Sequence, residues 1–249
     1  MPGVTVRLFV CGDVMLGRGV DQILPSPGDP TLREGHVTDA RRYVELAEEV
    51  NGPIPRPVDP SWPWGEALTV LETAAPDVRI VNLETSITHS DRFAAGKAVH
   101  YRMSPDNLGC LEAVGPDVCT LANNHVLDLG REGLEETLDV LTAAGLRSAG
   151  AGHDLEEAWQ PVVVPLGGGG RVVVFSMGSP DSGIPPCGRP RRTVPASPSS
   201  ATPSTSRRQR CSTASGGGGG PATGSWCPST GARTGATTCR AITSASPTR

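Results

Sequence analysis

Apolar positions in the first 186 residues form short runs that alternate with segments of helical spacing. Val4–Cys11, Val78–Leu83 and Val118–Leu121 are brief, β-branched-rich runs of the kind that form buried strands. Between them, Asp39–Asn51 has helical spacing with Asp39 placed to cap its start. A Pro-rich loop, Gly52–Pro63, leads into a helix predicted over 64–75, and Asp106–Val114 fits a short helix. Residues 86–104 are polar and irregular, and are expected to be loop. Leu134, Leu138, Leu141 and Leu146 line one face of a helix ending near Gly145. Pro161–Leu166 and Arg171–Met177, separated by Gly167–Gly170, predict a hairpin. Strand–helix alternation of this kind predicts a layered α/β domain over 1–186.

The pattern stops there. Residues 187–249 contain no Leu, Phe, Met or Tyr, and only Val194, Trp226 and Ile242 as large apolar residues besides cysteine. Such a segment cannot bury enough apolar area to offset about 1–2 kcal/mol of backbone entropy per residue, so it reads as a disordered tail. A second reading is a change of frame near residue 187. Loss of acids and Leu with gain of Arg, Pro, Ser and Thr is what GC-rich coding DNA gives out of frame. Back-translating Gly220–Pro247 and joining each codon's last base to the next codon's first two permits PGDRVVVSIHWGPNWGYDVPSNHQRFAH. That string holds a strand-like RVVVSI segment, which the written tail lacks.

Charge sharpens the division. Residues 1–186 carry all 26 acids against 13 basic residues, a net of −13, while 187–249 carry nine Arg and no acid. An acidic body excludes nucleic acid as the main partner of the folded part. No apolar run approaches the roughly 18–20 residues that cross a bilayer, and Met1–Val10 lacks the layout of a secretory leader, so a cytoplasmic protein is expected. Cys11, Cys110 and Cys119 sit singly in apolar contexts and read as free thiols. Cys187, Cys211, Cys227 and Cys239 show no metal-type spacing.

Chemistry concentrates where the strands end. Cys11-Gly12-Asp13 follows the first run, Asn82-Leu83-Glu84-Thr85 closes the second, and Ala122-Asn123-Asn124-His125 follows the third. Open sheets bind ligands beyond the carboxyl ends of their strands, so these clusters point to one shared polar site. Arg18 is a candidate for an anionic group, and His100 and Arg102, flanking Tyr101, for substrate contact. His36 and His89 read as exposed loop residues, and Gly167–Gly170 as a turn, since no Lys-Ser/Thr follows it.

Taken in order, Gly12-Asp13-Val14-Met15-Leu16-Gly17-Arg18, Asn82-Leu83-Glu84-Thr85, Ala122-Asn123-Asn124-His125, Ala149-Gly150-Ala151-Gly152 and Ser179-Pro180-Asp181-Ser182-Gly183 resemble the CapA-type capsule-synthesis (poly-γ-glutamate biosynthesis) family. That family is similar in fold to the calcineurin-like metallophosphoesterases. The resemblance implies a β-sandwich flanked by helices, incomplete here because the later His ligands are absent from the chain as written. It implies a divalent metal (Mn, Fe or Zn) held by Asp13, Glu84 and Asn124, with His125 as general acid and Asn123 beside it. Met15 stands where such enzymes carry a His, which puts a two-metal centre in doubt. The implied activity is metal-assisted hydrolysis or transfer on a phosphoester, acyl or anionic-polymer substrate, impaired in this chain. The rival readings are a non-catalytic protein binding an anionic polymer in the same pocket, and an intact protein with a native Arg-rich interaction tail.

Overall fold

Val78–Leu83 forms a strand buried on both faces, and the rest of the fold is arranged about it. Val78 and Ile80 point to one side, Val81 and Leu83 to the other, and each is at most 1% exposed. A run that is apolar on both faces is what the middle of a parallel sheet demands. The computed structural model describes residues 5–179 and 238–244, and it places this strand, β2, beside β1 (Leu8–Val14). On its other side lies β5 (Val118–Thr120), followed by β6 (Ser148–Ala149). All three pairings are parallel, in the order β1-β2-β5-β6. The carboxyl ends of β1, β2 and β5 therefore lie along one edge.

Two hydrophobic clusters cover the two faces. On one, Val81, Leu83 and Cys119 pack with Leu138 and Leu141 of α4 (Gly130–Ala143), and with Cys110 and Leu111 of α3 (Gly109–Glu112). On the other, Val78, Ile80, Val118 and Ala149 meet Val164 of β7 (Val162–Pro165) and Val172 and Val174 of β8 (Arg171–Met177). Strands β7 and β8 are antiparallel, joined by the predicted glycine turn, in which Leu166 N–H donates to Gly170 O. Fully burying a side chain of this size stabilises by about 1.5–3 kcal/mol, so these two clusters supply the fold's main driving force.

Element ends differ from the sequence expectations in ways with local causes. Strand β1 runs to Val14 rather than stopping at Cys11, because an irregularity between Cys11 and Val14 lets pairing resume with Leu83. Helix α1 (Arg41–Asn51) begins two residues late, with Ala40 at the cap position; the Asp39 carboxylate instead accepts from Arg41 N–H. The helix predicted over 64–75 is a 3₁₀ turn, Trp62–Trp64, followed by α2 (Ala67–Ala74). Asp106–Val114 likewise divides into a 3₁₀ turn, Pro105–Asn107, and α3. The stretch expected to be loop contains a two-stranded parallel pair, β3 (Ser86–Ile87) and β4 (Arg102–Met103). Helix α4 ends before Leu146. Gly145, at φ +72°, donates to Thr142 O while Leu146 N–H reaches Leu141 O, a Schellman closure that turns Leu146 into the core. After His153, Asp154 caps α5 (Leu155–Trp159) through the Glu157 N–H.

Thr238–Ser244 forms β9, antiparallel to β8, giving a three-stranded sheet β7-β8-β9. Pro180–Gly183, the four tail cysteines Cys187, Cys211, Cys227 and Cys239 as side chains, and the rest of 187–249 lie outside the described residues. No helix among the described residues is long and apolar enough to cross a membrane.

Two measurements test this packing. Ile80→Ala is expected to cost about 2–5 kcal/mol in urea unfolding, against under about 0.5 kcal/mol for Val10→Ala on the exposed outer half of β1. Burial raises the Cys119 thiol to about 12 and the Cys110 thiol to about 11. Peptide mapping after alkylation at neutral pH should therefore find Cys11 modified in the folded chain, and Cys110 and Cys119 only after unfolding.

Candidate functional site

Asp13 reaches the edge of the sheet because β1 is irregular there. Its φ of +53° is a left-handed conformation that Asp tolerates better than most residues, and it turns the side chain out of the ladder. The Asp13 carboxylate accepts from Asn82 Nδ2 at 3.0 Å, and the same amide donates to Glu84 Oε1 at 3.2 Å. One amide thus joins two acids from two strands. Burial pushes the Glu84 carboxyl above its ordinary value, and the neighbouring Asp13 charge adds to that; His125 and the Asn82 hydrogen bond oppose it.

The other end of that amide ties in the third strand. Asn82 Oδ1 accepts from Asn123 Nδ2 at 3.2 Å and from Thr120 Oγ1 at 3.4 Å. Asn123 also donates to Leu83 O and accepts from His125 N–H, so both ends of its buried side chain are occupied. Its place is that of a clamp between strand ends. Asn124 sits one residue further, half-buried, with its carbonyl taken by Lys97 Nζ at 2.5 Å.

His125 is held on three sides. Its Nδ1 lies 2.7 Å from Asp128 Oδ2, its ring stacks on Tyr101 at 4.0 Å, and its N–H is fixed by Asn123. Asp128 is fully buried and also receives Lys97 Nζ and the Tyr101 N–H. An acid so placed orients the imidazole and leaves Nε2 as the free nitrogen. Sequence reasoning missed Asn82, Asp128 and Lys97. Asn82 sat inside the quoted Asn82-Leu83-Glu84-Thr85 motif, and Asp128 lies three residues beyond the quoted His125, a spacing that faces acid and imidazole across one turn.

The remaining sequence candidates gather in a neighbouring cavity of about 160 Å³ that Arg18, His100 and Arg102 all line. Arg18 is paired with Glu34 at 2.6 Å and with the Tyr43 hydroxyl, and lies over the Tyr43 ring. His100 is buried, with Nε2 on Ala94 O and its ring edge-on to Phe93. Arg102 donates to Ser90 O and Asp29 O. Gly17 is required where it stands, since a Cβ there would lie 2.4 Å from Arg102 O. His89 is exposed as expected, against Glu136.

Carboxylate and amide oxygens such as those of Asp13, Glu84 and Asn124 are hard donors of the kind a divalent cation takes. Among the described residues no group of three or more His, Cys, Asp or Glu is arranged to hold a metal, so the donor set is sparse.

The clamp and the buried acid are separable by mutation. Asn82→Ala is expected to cost about 1–3 kcal/mol by leaving Asn123 and Thr120 short of a partner. Asp128→Ala should cost about 3–5 kcal/mol, because Lys97 and His125 lose a buried counter-charge. Urea unfolding of both variants checks this; a loss under about 0.5 kcal/mol in either would remove it from the scaffold.

A family model described as bacterial capsule synthesis protein PGA_cap matches residues 7–215. Probable polyglutamine synthesis accessory proteins of Mycobacterium tuberculosis strains CDC 1551 and H37Rv are each 54% identical over 190 residues, covering 76% of this chain and 50% of theirs. The PGA biosynthesis protein CapA of Bacillus subtilis strain 168 is 26% identical over 148 residues, covering 59% of this chain and 30% of its own. The chain thus spans about half the length of the Mycobacterium relatives. With the ordered strand-end motifs and this coverage, the chain belongs to the bacterial capsule synthesis protein PGA_cap family.

Proposed function

We propose that this protein serves the synthesis of a polyglutamate or capsule-type polymer through metal-assisted hydrolase or transferase chemistry at the edge of its parallel sheet. The observation that carries the reading is the single Asn82 amide holding Asp13 and Glu84 together, beside an imidazole oriented by a buried acid. Asp13, Glu84 and Asn124 would hold a divalent cation such as Mn, Fe or Zn, weakly in this chain. When bound, the cation would polarise an acyl or phosphoryl oxygen of the substrate. His125, with Nδ1 engaged by Asp128, presents Nε2 to protonate the departing oxygen. Tyr101 keeps the ring from rotating. The cavity lined by Arg18, His100 and Arg102 would accept an anionic part of the substrate.

A second reading is a non-catalytic protein that binds an anionic polymer in the same place. The sparse donor set and Met15 in the place of a ligand favour it.

Calorimetric titration with Mn²⁺ separates the two. Weak, saturable binding that Glu84→Gln or Asp13→Asn removes is the expected result; equal binding by the parent and both variants sinks the metal reading. Binding of polyglutamate that persists unchanged in EDTA, with no hydrolysis or transfer under any added metal, establishes the second reading instead.

A further inference from the structure

The chain contains two tyrosines, Tyr43 and Tyr101, and the fold treats their hydroxyls differently. The Tyr43 hydroxyl donates to Glu34 at 2.6 Å and accepts from Arg18, so it is occupied within the protein. Tyr101 is half-buried, and no described residue bonds its hydroxyl, which stays open to solvent. Only its ring and backbone are engaged. The ring stacks on His125 with centres 4.0 Å apart and planes 25° from parallel. Its N–H donates to Asp128, and its C=O accepts from Ser86 N–H. Stacking needs the ring alone, and a phenylalanine would serve it equally. The hydroxyl is left without a structural task.

Its surroundings suit a hydrogen-bond donor. Arg18 Cζ lies 5.6 Å from the centre of the same ring, and Glu84, Glu34 and Asp128 are close enough for their charges to act on the phenol. Burial raises the phenol above its ordinary value; Arg18 opposes this, and the three acids add to it. A phenol that is neutral in water at neutral pH therefore holds its proton more firmly here. What it offers beside His125 is an O–H, not a base.

We propose that the Tyr101 hydroxyl is a substrate contact, donating to the carbonyl or phosphoryl oxygen of a molecule held against His125. This rests on the reading of the strand edge as a substrate site. A neutral donor aimed at such an oxygen stabilises charge that builds there without adding charge to a site already rich in acids. One side chain then has two separable roles: the ring holds the imidazole, and the hydroxyl meets the substrate.

Tyr101→Phe keeps the stack and removes the donor. Its Tm should match the parent's, since no protein group loses a partner. In calorimetric titrations with Mn²⁺ present, polyglutamate is expected to bind Tyr101→Phe roughly tenfold more weakly than the parent. NMR of isotopically labelled tyrosine, in Tyr43→Phe protein where Tyr101 is the single tyrosine, should show the Tyr101 Cζ resonance move when polyglutamate is added. Inorganic phosphate titrated in parallel separates the two oxygens: a loss of affinity and a moving resonance with phosphate alone assign the contact to a phosphoryl group. Equal binding by the parent and Tyr101→Phe, or an unmoved resonance with both probes, overturns the proposal and leaves the proposed function standing. No binding of either probe by the parent overturns both.

Discussion

The Asn82 side chain is the point on which the candidate site depends. Parallel pairing brings three strand ends to one edge, but a shared edge does not by itself bring side chains within bonding distance. The amide does so by using both of its ends. Its nitrogen takes Asp13 and Glu84, and its oxygen takes Asn123 and Thr120. A neutral group that donates to two acids tempers their repulsion without adding charge. Glu84 still stays above its ordinary value through burial and Asp13, so the pair retains an unmet demand for positive charge.

A second buried constraint sets the imidazole. Asp128 is inaccessible to water, and an unpaired carboxylate there would cost several kcal/mol. Lys97, His125 and the Tyr101 N–H together meet that demand. Because Tyr101 also stacks on His125, the loop that leads into β4 and the turn after β5 are locked to each other at the site. Rigidity of this kind holds a proton donor in place better than exposed side chains do.

The exposure of Val10 on β1 bears on the same edge of the molecule as the candidate site. Val10, 58% exposed, lies on the half of β1 that ends in Asp13, beside the two acids. Exclusion of water there would strengthen every charge interaction at the site. Arg18, by contrast, meets Glu34 and Tyr43 through Nη2 alone, and its buried Nε has no hydrogen-bond partner among the described residues.

Much of this was legible along the chain. Short β-branched runs, a leucine stripe at helical spacing and a glycine-rich hairpin turn are local signals, and they correspond to β2, β5, α4 and the β7–β8 pair. The clustering of Asp, Glu, Asn and His at strand ends was equally local, because motif order survives without coordinates. Misplaced ends had one shared cause. Whether β1 continues past Cys11, or Asp39 or Ala40 caps α1, turns on a few tenths of a kcal/mol that neighbouring strands and turns override. The parallel pair β3–β4 was invisible because its partners stand sixteen residues apart in a polar stretch, and pairing is a long-range event. Residue type and spacing named the acids and the imidazole; which amide joins them, and which buried acid orients the ring, followed from strand register and packing, since hydrogen-bond partners remote in sequence exist only once the sheet has formed.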